Sequence, residues 1–93
     1  VYAHGVLTLN EVSHEVTLRG EAISLVAREF SLLRALIEEP GKVYSKSELE
    51  EKLYGWNEEI ESNTIEVHVH NLRKKLGVEQ IVTIRGIGYR LAG

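Results

Sequence analysis

Thirteen residues, TIEVHVHNLRKKL from Thr64 to Leu76, constrain the fold more than any other part of the chain. Their first half alternates, with Ile65, Val67 and Val69 set against Glu66, His68 and His70. That is the period of a half-buried strand. As a strand it would place His68 and His70 on one face, in position to grip a metal ion. Geometry favours a helix instead. At about 100° per residue, Ile65, Val69, Leu72 and Leu76 fall within a sector of about 60°, so one buried stripe runs through both halves. A strand would have to stop at Asn71, because NLRKKL does not alternate. The ends agree: Asn63 and Glu66 have capping-box spacing, and Arg73, Lys74 and Lys75 sit where the macrodipole favours cations. Gly77 can take the left-handed position after the last turn. The segment 63–76 therefore reads as one helix.

On that helix His68 and His70 are about 200° apart and cannot share an ion. The chain has no Cys and no Asp, and His4 and His14 belong to a distant sheet, so no metal and no other cofactor is expected. Opposite the buried stripe lie Asn63, Val67, His70, Asn71 and Lys74, with Thr64, His68 and Lys75 along one flank. Asn can pair bidentately with adenine, Lys can reach guanine O6 and N7, and an apolar group can pack on the thymine methyl. Asn63, Thr64, Val67, His70, Asn71 and Lys74 are thus candidate base-reading residues for a DNA major groove. His68 and Lys75 are better placed for phosphates, which fix register without reading sequence. The plain alternative is a solvated helix face carrying one exposed Val.

The rest of the chain fits around this helix. Val6, Leu7 and Leu9, then Val16 and Leu18, then Ile23 and Leu25 form alternating runs, parted by turn-prone Asn10 and Arg19-Gly20. They predict a small antiparallel sheet built from hairpins. From Val26 the period changes: Val26, Phe30, Leu33 and Ile37 recur at helical spacing until Pro40-Gly41. SKSE is a capping box with Ser45 as N-cap and Glu48 reaching back, opening a short helix with Leu49 and Leu53 buried. Such a helix would cross a DNA backbone, which makes Ser45 and Lys46 candidate phosphate contacts. Tyr54 and Trp56 could touch the backbone or pack on the core, with packing favoured for Trp56. The closing QIVTIRGIGYRLAG reads as two strands around Gly86 and Gly88, with Arg85 at the start of the turn. An Arg at such a tip suits a narrow minor groove. Strands, three helices and a hairpin make an α+β winged helix-turn-helix.

Composition narrows the function classes. Ninety-three residues fit one domain, 1–93, without a second core. The net charge of −3 speaks against nucleic acid until it is divided. Residues 1–61 hold 6 Lys and Arg against 12 Glu, whereas residues 62–93 hold 5 against 2, so the last third is basic. No apolar run approaches the roughly 20 residues that span a bilayer, and no signal peptide is visible, so no membrane partner is expected. Starting at Val1 rather than Met, the sequence leaves room for an upstream part. No Ser/His/acid or paired-carboxylate spacing stands out, and an enzyme is not expected.

LVAREFSLLRALIEEPGKVYSKSELEEKLYG, SNTIEVHVHNLRKKLG and IVTIRGIGYRL together resemble the C-terminal effector domain of OmpR/PhoB-type bacterial response regulators, most nearly its PmrA/QseB-like group. The resemblance implies a four-stranded N-terminal sheet, three helices and a hairpin wing. It implies binding to double-stranded promoter DNA at direct repeats, as a head-to-tail homodimer, in the cytoplasm. By position, His68 would contact phosphate and Arg73 would match a phosphate-binding position, although the helical wheel puts Arg73 nearer the buried side. Thr83 and Arg85 would match wing residues approaching the minor groove. The loop Gly55, Trp56, Asn57, Glu58, Glu59, Ile60, Glu61 and Ser62 would be the one that touches RNA polymerase in relatives. A cognate sensor kinase would act only through a receiver domain with a phospho-accepting Asp, which this Asp-free chain does not contain. One departure stands out: Val26 occupies a position where such domains commonly carry Ser or Thr, and losing that cap costs about 1 kcal/mol. A different class, a winged helix that binds proteins without base readout, is compatible with the same fold.

Overall fold

The computed structural model describes residues 2–54 and 64–92. Four short strands, β1 (Tyr2–His4), β2 (Leu7–Asn10), β3 (Glu15–Leu18) and β4 (Glu21–Ile23), form an antiparallel meander in that order. Its turns fall at the expected residues. The Asn10 side chain accepts the Val12 and Ser13 amides at 3.0 and 3.2 Å, while Arg19 and Gly20 both take positive φ. Leu7, Leu9 and Val16 supply the buried face of the sheet.

Helix α1 (Ala27–Glu38) buries Phe30, Leu33 and Ile37 on the expected stripe, joined by Leu32 and Leu36. Val26 departs from that stripe: it is the N-cap, in extended conformation, and is 56% exposed. Only half of a capping box forms there. The Glu29 carboxylate accepts the Val26 amide at 3.4 Å, whereas a valine side chain has no acceptor to return. The box at α2 (Lys46–Tyr54) is complete, with Glu48 N–H to Ser45 Oγ at 3.1 Å and Ser45 N–H to Glu48 Oε1 at 3.2 Å. Helix α3 (Thr64–Leu76) buries Ile65, Val69, Leu72 and Leu76, so the strand alternative fails. The Arg73 carbonyl accepts the Gly77 amide, and Gly77 has φ of +101°.

Strands β6 (Ile81–Ile84) and β7 (Gly88–Leu91) form the C-terminal hairpin. A short strand absent from the sequence reading, β5 (Tyr44–Ser45), pairs with β7 and makes a three-stranded sheet in the order β5-β7-β6. It also separates the roles of the two wing glycines. Gly86 makes the reversal at φ +75°, with the Ile87 amide bonded to the Ile84 carbonyl. Gly88 lies within β7 opposite Ser45, where an added Cβ would come 1.9 Å from the Tyr44 carbonyl oxygen. The missing side chain at Gly88 therefore lets β5 of the same chain pack closely against β7. This sheet fastens the start of α2 to the wing and fixes their relative position.

Candidate nucleic-acid interface

Helix α3 is held along both flanks, and the hold determines which side chains remain outward. On the flank nearer the hairpin, the Arg73 guanidinium donates to the Ile81 carbonyl at 2.8 Å and to Thr83 Oγ1 at 2.7 Å. Glu66, on the same flank, accepts a hydrogen bond from Lys46 at the start of α2. On the other flank His68 Nε2 is hydrogen-bonded to Tyr54 Oη at 2.8 Å, and Lys75 reaches Glu29 Oε1 at 2.5 Å. Arg28 lies over the Tyr54 ring at 4.2 Å and donates to the Leu53 carbonyl, so α1, α2 and α3 meet at this cluster.

These contacts bear on each residue expected to bind phosphate. Lys75 is the partner of a carboxylate that is only 3% exposed. A carboxylate buried that far requires a counter-charge, which ties the ammonium to the fold. Arg73 joins the helix to β6, in keeping with its inward place on the wheel. His68 is half-buried, and its Nδ1 is buried with no hydrogen-bond partner among the described residues. Burial, helped by the nearby Arg28 charge, pushes its pKa below the ordinary histidine value, against an opposing pull from Glu29. The shift disfavours the charged imidazolium and so weakens its attraction to a phosphate. Tyr54 is half-buried, with its hydroxyl on His68. Lys46 is exposed, and the hydrogen bond and charge of Glu66 raise its pKa. Ser45 is the N-cap of α2 and half-buried.

Between the flanks the outward face carries the expected side chains. Val67 is 46% exposed, His70 and Lys74 are exposed, and Asn71 and Thr64 are half-buried. His68 and His70 point apart, as the helix requires, and no group of three or more His, Cys, Asp or Glu suited to a metal occurs among the described residues. Asn63 and the loop Gly55–Ser62, including Trp56, lie outside the described residues. On the wing, Arg85 and Thr83 are exposed, and Ile87 at the tip is 60% exposed. A groove of ≈ 490 Å³ separates the wing from the start of α2, lined by Ser45, Lys46, Ser47, Thr83, Arg85 and Ile87 among others. The sequence alone did not point to Glu66 and Ile87 on this surface, nor to the buried Glu29 beneath it. Glu29 and Lys75 are 46 positions apart, and no local pattern links them.

A helix presented between a second helix and a β-hairpin wing is the geometry of OmpR/PhoB-type domains. A family model described as "Transcriptional regulatory protein, C terminal" matches residues 20–91. The chain belongs to this family. The response regulator protein PmrA of Pseudomonas aeruginosa is 57% identical over 86 residues, covering 92% of this chain and 39% of that protein. The transcriptional regulatory protein QseB of Escherichia coli O157:H7 is 48% identical over 88 residues, covering 95% and 40%. The chain thus spans about two fifths of the length of these curated relatives. Among solved structures, the AdeR DNA-binding domain in complex with an intercistronic region is similar over the whole of both chains, with TM-score 0.89 and 25% identity. The Klebsiella pneumoniae RstA DNA-binding domain in complex with the RstA box gives TM-score 0.85 and 28% identity, over 97% of this chain and 94% of that one. The family match begins at Gly20, and these structures extend the likeness through the N-terminal sheet. No helix among the described residues is long and apolar enough to cross a membrane.

Proposed function

We propose that this domain binds double-stranded promoter DNA with sequence specificity, as the effector domain of a cytoplasmic two-component regulator. The observation that carries the reading is the division of labour on α3. His68, Arg73 and Lys75 hold the helix in place, while Val67, His70, Asn71 and Lys74 face outward with chemistry matched to base edges. In this reading α3 enters the major groove and Arg85 reaches the adjacent minor groove. The backbone between them is met by Ser45 and Lys46 at the start of α2. His68, Arg73, Lys75 and Tyr54 act mainly as positioning residues, and any phosphate contact they make is shared with an internal partner.

The DNA-bound relatives AdeR and RstA support the same use of the fold. Direct-repeat sites, a head-to-tail homodimer, RNA polymerase contact through the loop 55–62 and control by a sensor kinase through a receiver domain complete the proposal. The test is a footprint on the protein's own upstream region, with wild type and Arg85→Ala, across a salt series. Specific protection that weakens steeply with salt, and shrinks on the wing side in the variant, is expected. Binding that is undetectable or indifferent to salt would rule the reading out in favour of a protein-interaction module.

A further inference from the structure

The Lys46–Glu66 pair differs from the other ties on α3. Glu29 and Lys75 meet around a buried carboxylate, and Arg73 reaches a backbone carbonyl. Lys46 and Glu66 are both about half exposed, at 47% and 48% of their side-chain surface. Exposed ion pairs contribute little to folding stability, so this contact is not needed to hold the helix. Its place suggests another role. Lys46 lines the groove between the start of α2 and the wing, beside Ser45, Ser47 and Arg85. Glu66 is the one acidic residue on α3, whose last turn carries Arg73, Lys74 and Lys75. It therefore brings a negative charge to the surface that the proposed function turns toward DNA.

Resting on that function, we propose that Glu66 is a specificity-determining residue that suppresses sequence-independent DNA binding by holding Lys46 away from the phosphate backbone. On any duplex, an approaching phosphate competes with the Glu66 carboxylate for the same ammonium. Random DNA, held by phosphate contacts alone, bears this penalty with nothing to offset it. On a matched site, α3 is seated in the major groove, and base contacts from Val67, His70, Asn71 and Lys74 offset it. The Glu66 carboxylate can also accept a cytosine N4 amino hydrogen there, a donor that random sequence supplies only by chance. The acid lowers affinity everywhere but lowers it least on the correct sequence.

The experiment uses the 93-residue chain with two probes: a random-sequence duplex pool, and the duplex that wild type selects from that pool. Glu66→Gln keeps a hydrogen-bonding group for Lys46 while removing the charge. It should bind the random pool roughly two- to fivefold more tightly. Its log affinity against log salt should be steeper by up to about 0.9, the effect of one more neutralised phosphate. The selected duplex should gain less, so the ratio between the two falls. Adding Lys46→Gln should abolish the gain. An unchanged random-pool affinity and slope, or a gain that survives Lys46→Gln, overturns the proposal. A melting curve for each variant separates these effects from misfolding, and Lys46→Gln alone, which should weaken random-pool binding, approaches the pair from its other side. If wild type selects no duplex, the DNA reading falls and takes this inference with it. If wild type selects one and Glu66→Gln behaves like wild type, only the inference falls.

Discussion

Replacing Lys75 with Ala tests whether its charge serves the fold or the ligand. In the structure Lys75 Nζ lies 2.5 Å from Glu29 Oε1, and the same oxygen accepts the Val26 amide at 3.4 Å. Truncation would leave a carboxylate with 4% side-chain exposure and one long hydrogen bond. Removing one partner of a buried pair costs about 3–5 kcal/mol. The Lys75 side chain is itself 35% exposed, so water can enter the vacated space and partly solvate the anion. We therefore expect about 2–3 kcal/mol, below the fully buried range. In a domain of this size each kcal/mol moves the melting temperature by about 4–8 °C, so a drop of about 8–24 °C follows. Circular dichroism melts at pH 7 would measure it. Repeating the substitution in a Glu29→Gln background isolates the pair; with a neutral amide in place of the anion, losing Lys75 should cost less than about 1 kcal/mol, as for an ordinary exposed ammonium. A Lys75→Ala variant that melts with wild type, yet loses about one phosphate's worth of salt dependence, would overturn this structural role. Lys75 would then be a DNA contact.

Gly88→Ala should destabilise the domain by several kcal/mol, because its Cβ would lie 1.9 Å from the Tyr44 carbonyl oxygen. Gly86→Ala meets open space and only the left-handed strain of φ +75°, about 1–2 kcal/mol; equal losses in denaturant melts would contradict this account of the wing. Val26→Ser completes the capping box and should stabilise by about 1 kcal/mol, and no rise in melting temperature would show that the Glu29 amide is already satisfied. His68 has a lowered pKa in the fold, so the unfolded chain takes up its proton first as pH falls. Its stability contribution is complete above about pH 6.5 and is lost as pH drops from there toward the folded value. Wild type should therefore lose more melting temperature than His68→Gln between pH 7.5 and 5.5, and parallel losses would remove His68 as the cause.

Local patterns carried much of the architecture. The period change after Leu25, the Ser45–Glu48 box and the stripe from Ile65 to Leu76 each rest on contacts within a few positions, and each appears in the structure. Val26 shows where periodicity overreaches. It sits one position before the helix, so the same spacing that marks Phe30 and Leu33 as buried leaves it at the surface. Strand β5 was not legible because two residues carry no alternation, and only pairing with β7 defines them.

For the interface, residue order along α3 was enough to say which side chains lie between its flanks, because a helix fixes their angular order. Val67 was the test: it broke the simple stripe, and it is exposed where the wheel puts it. What the flanking charges do depends on which distant residues the fold brings to them. Lys75, Arg73 and Lys46 look alike in sequence as basic residues of a DNA-binding domain. One meets a buried carboxylate from α1, one a carbonyl of β6, and one a half-exposed acid on α3. The difference comes from distance along the chain: an angular position is set by the residue's own helix, whereas a counter-charge can arrive from 46 positions away.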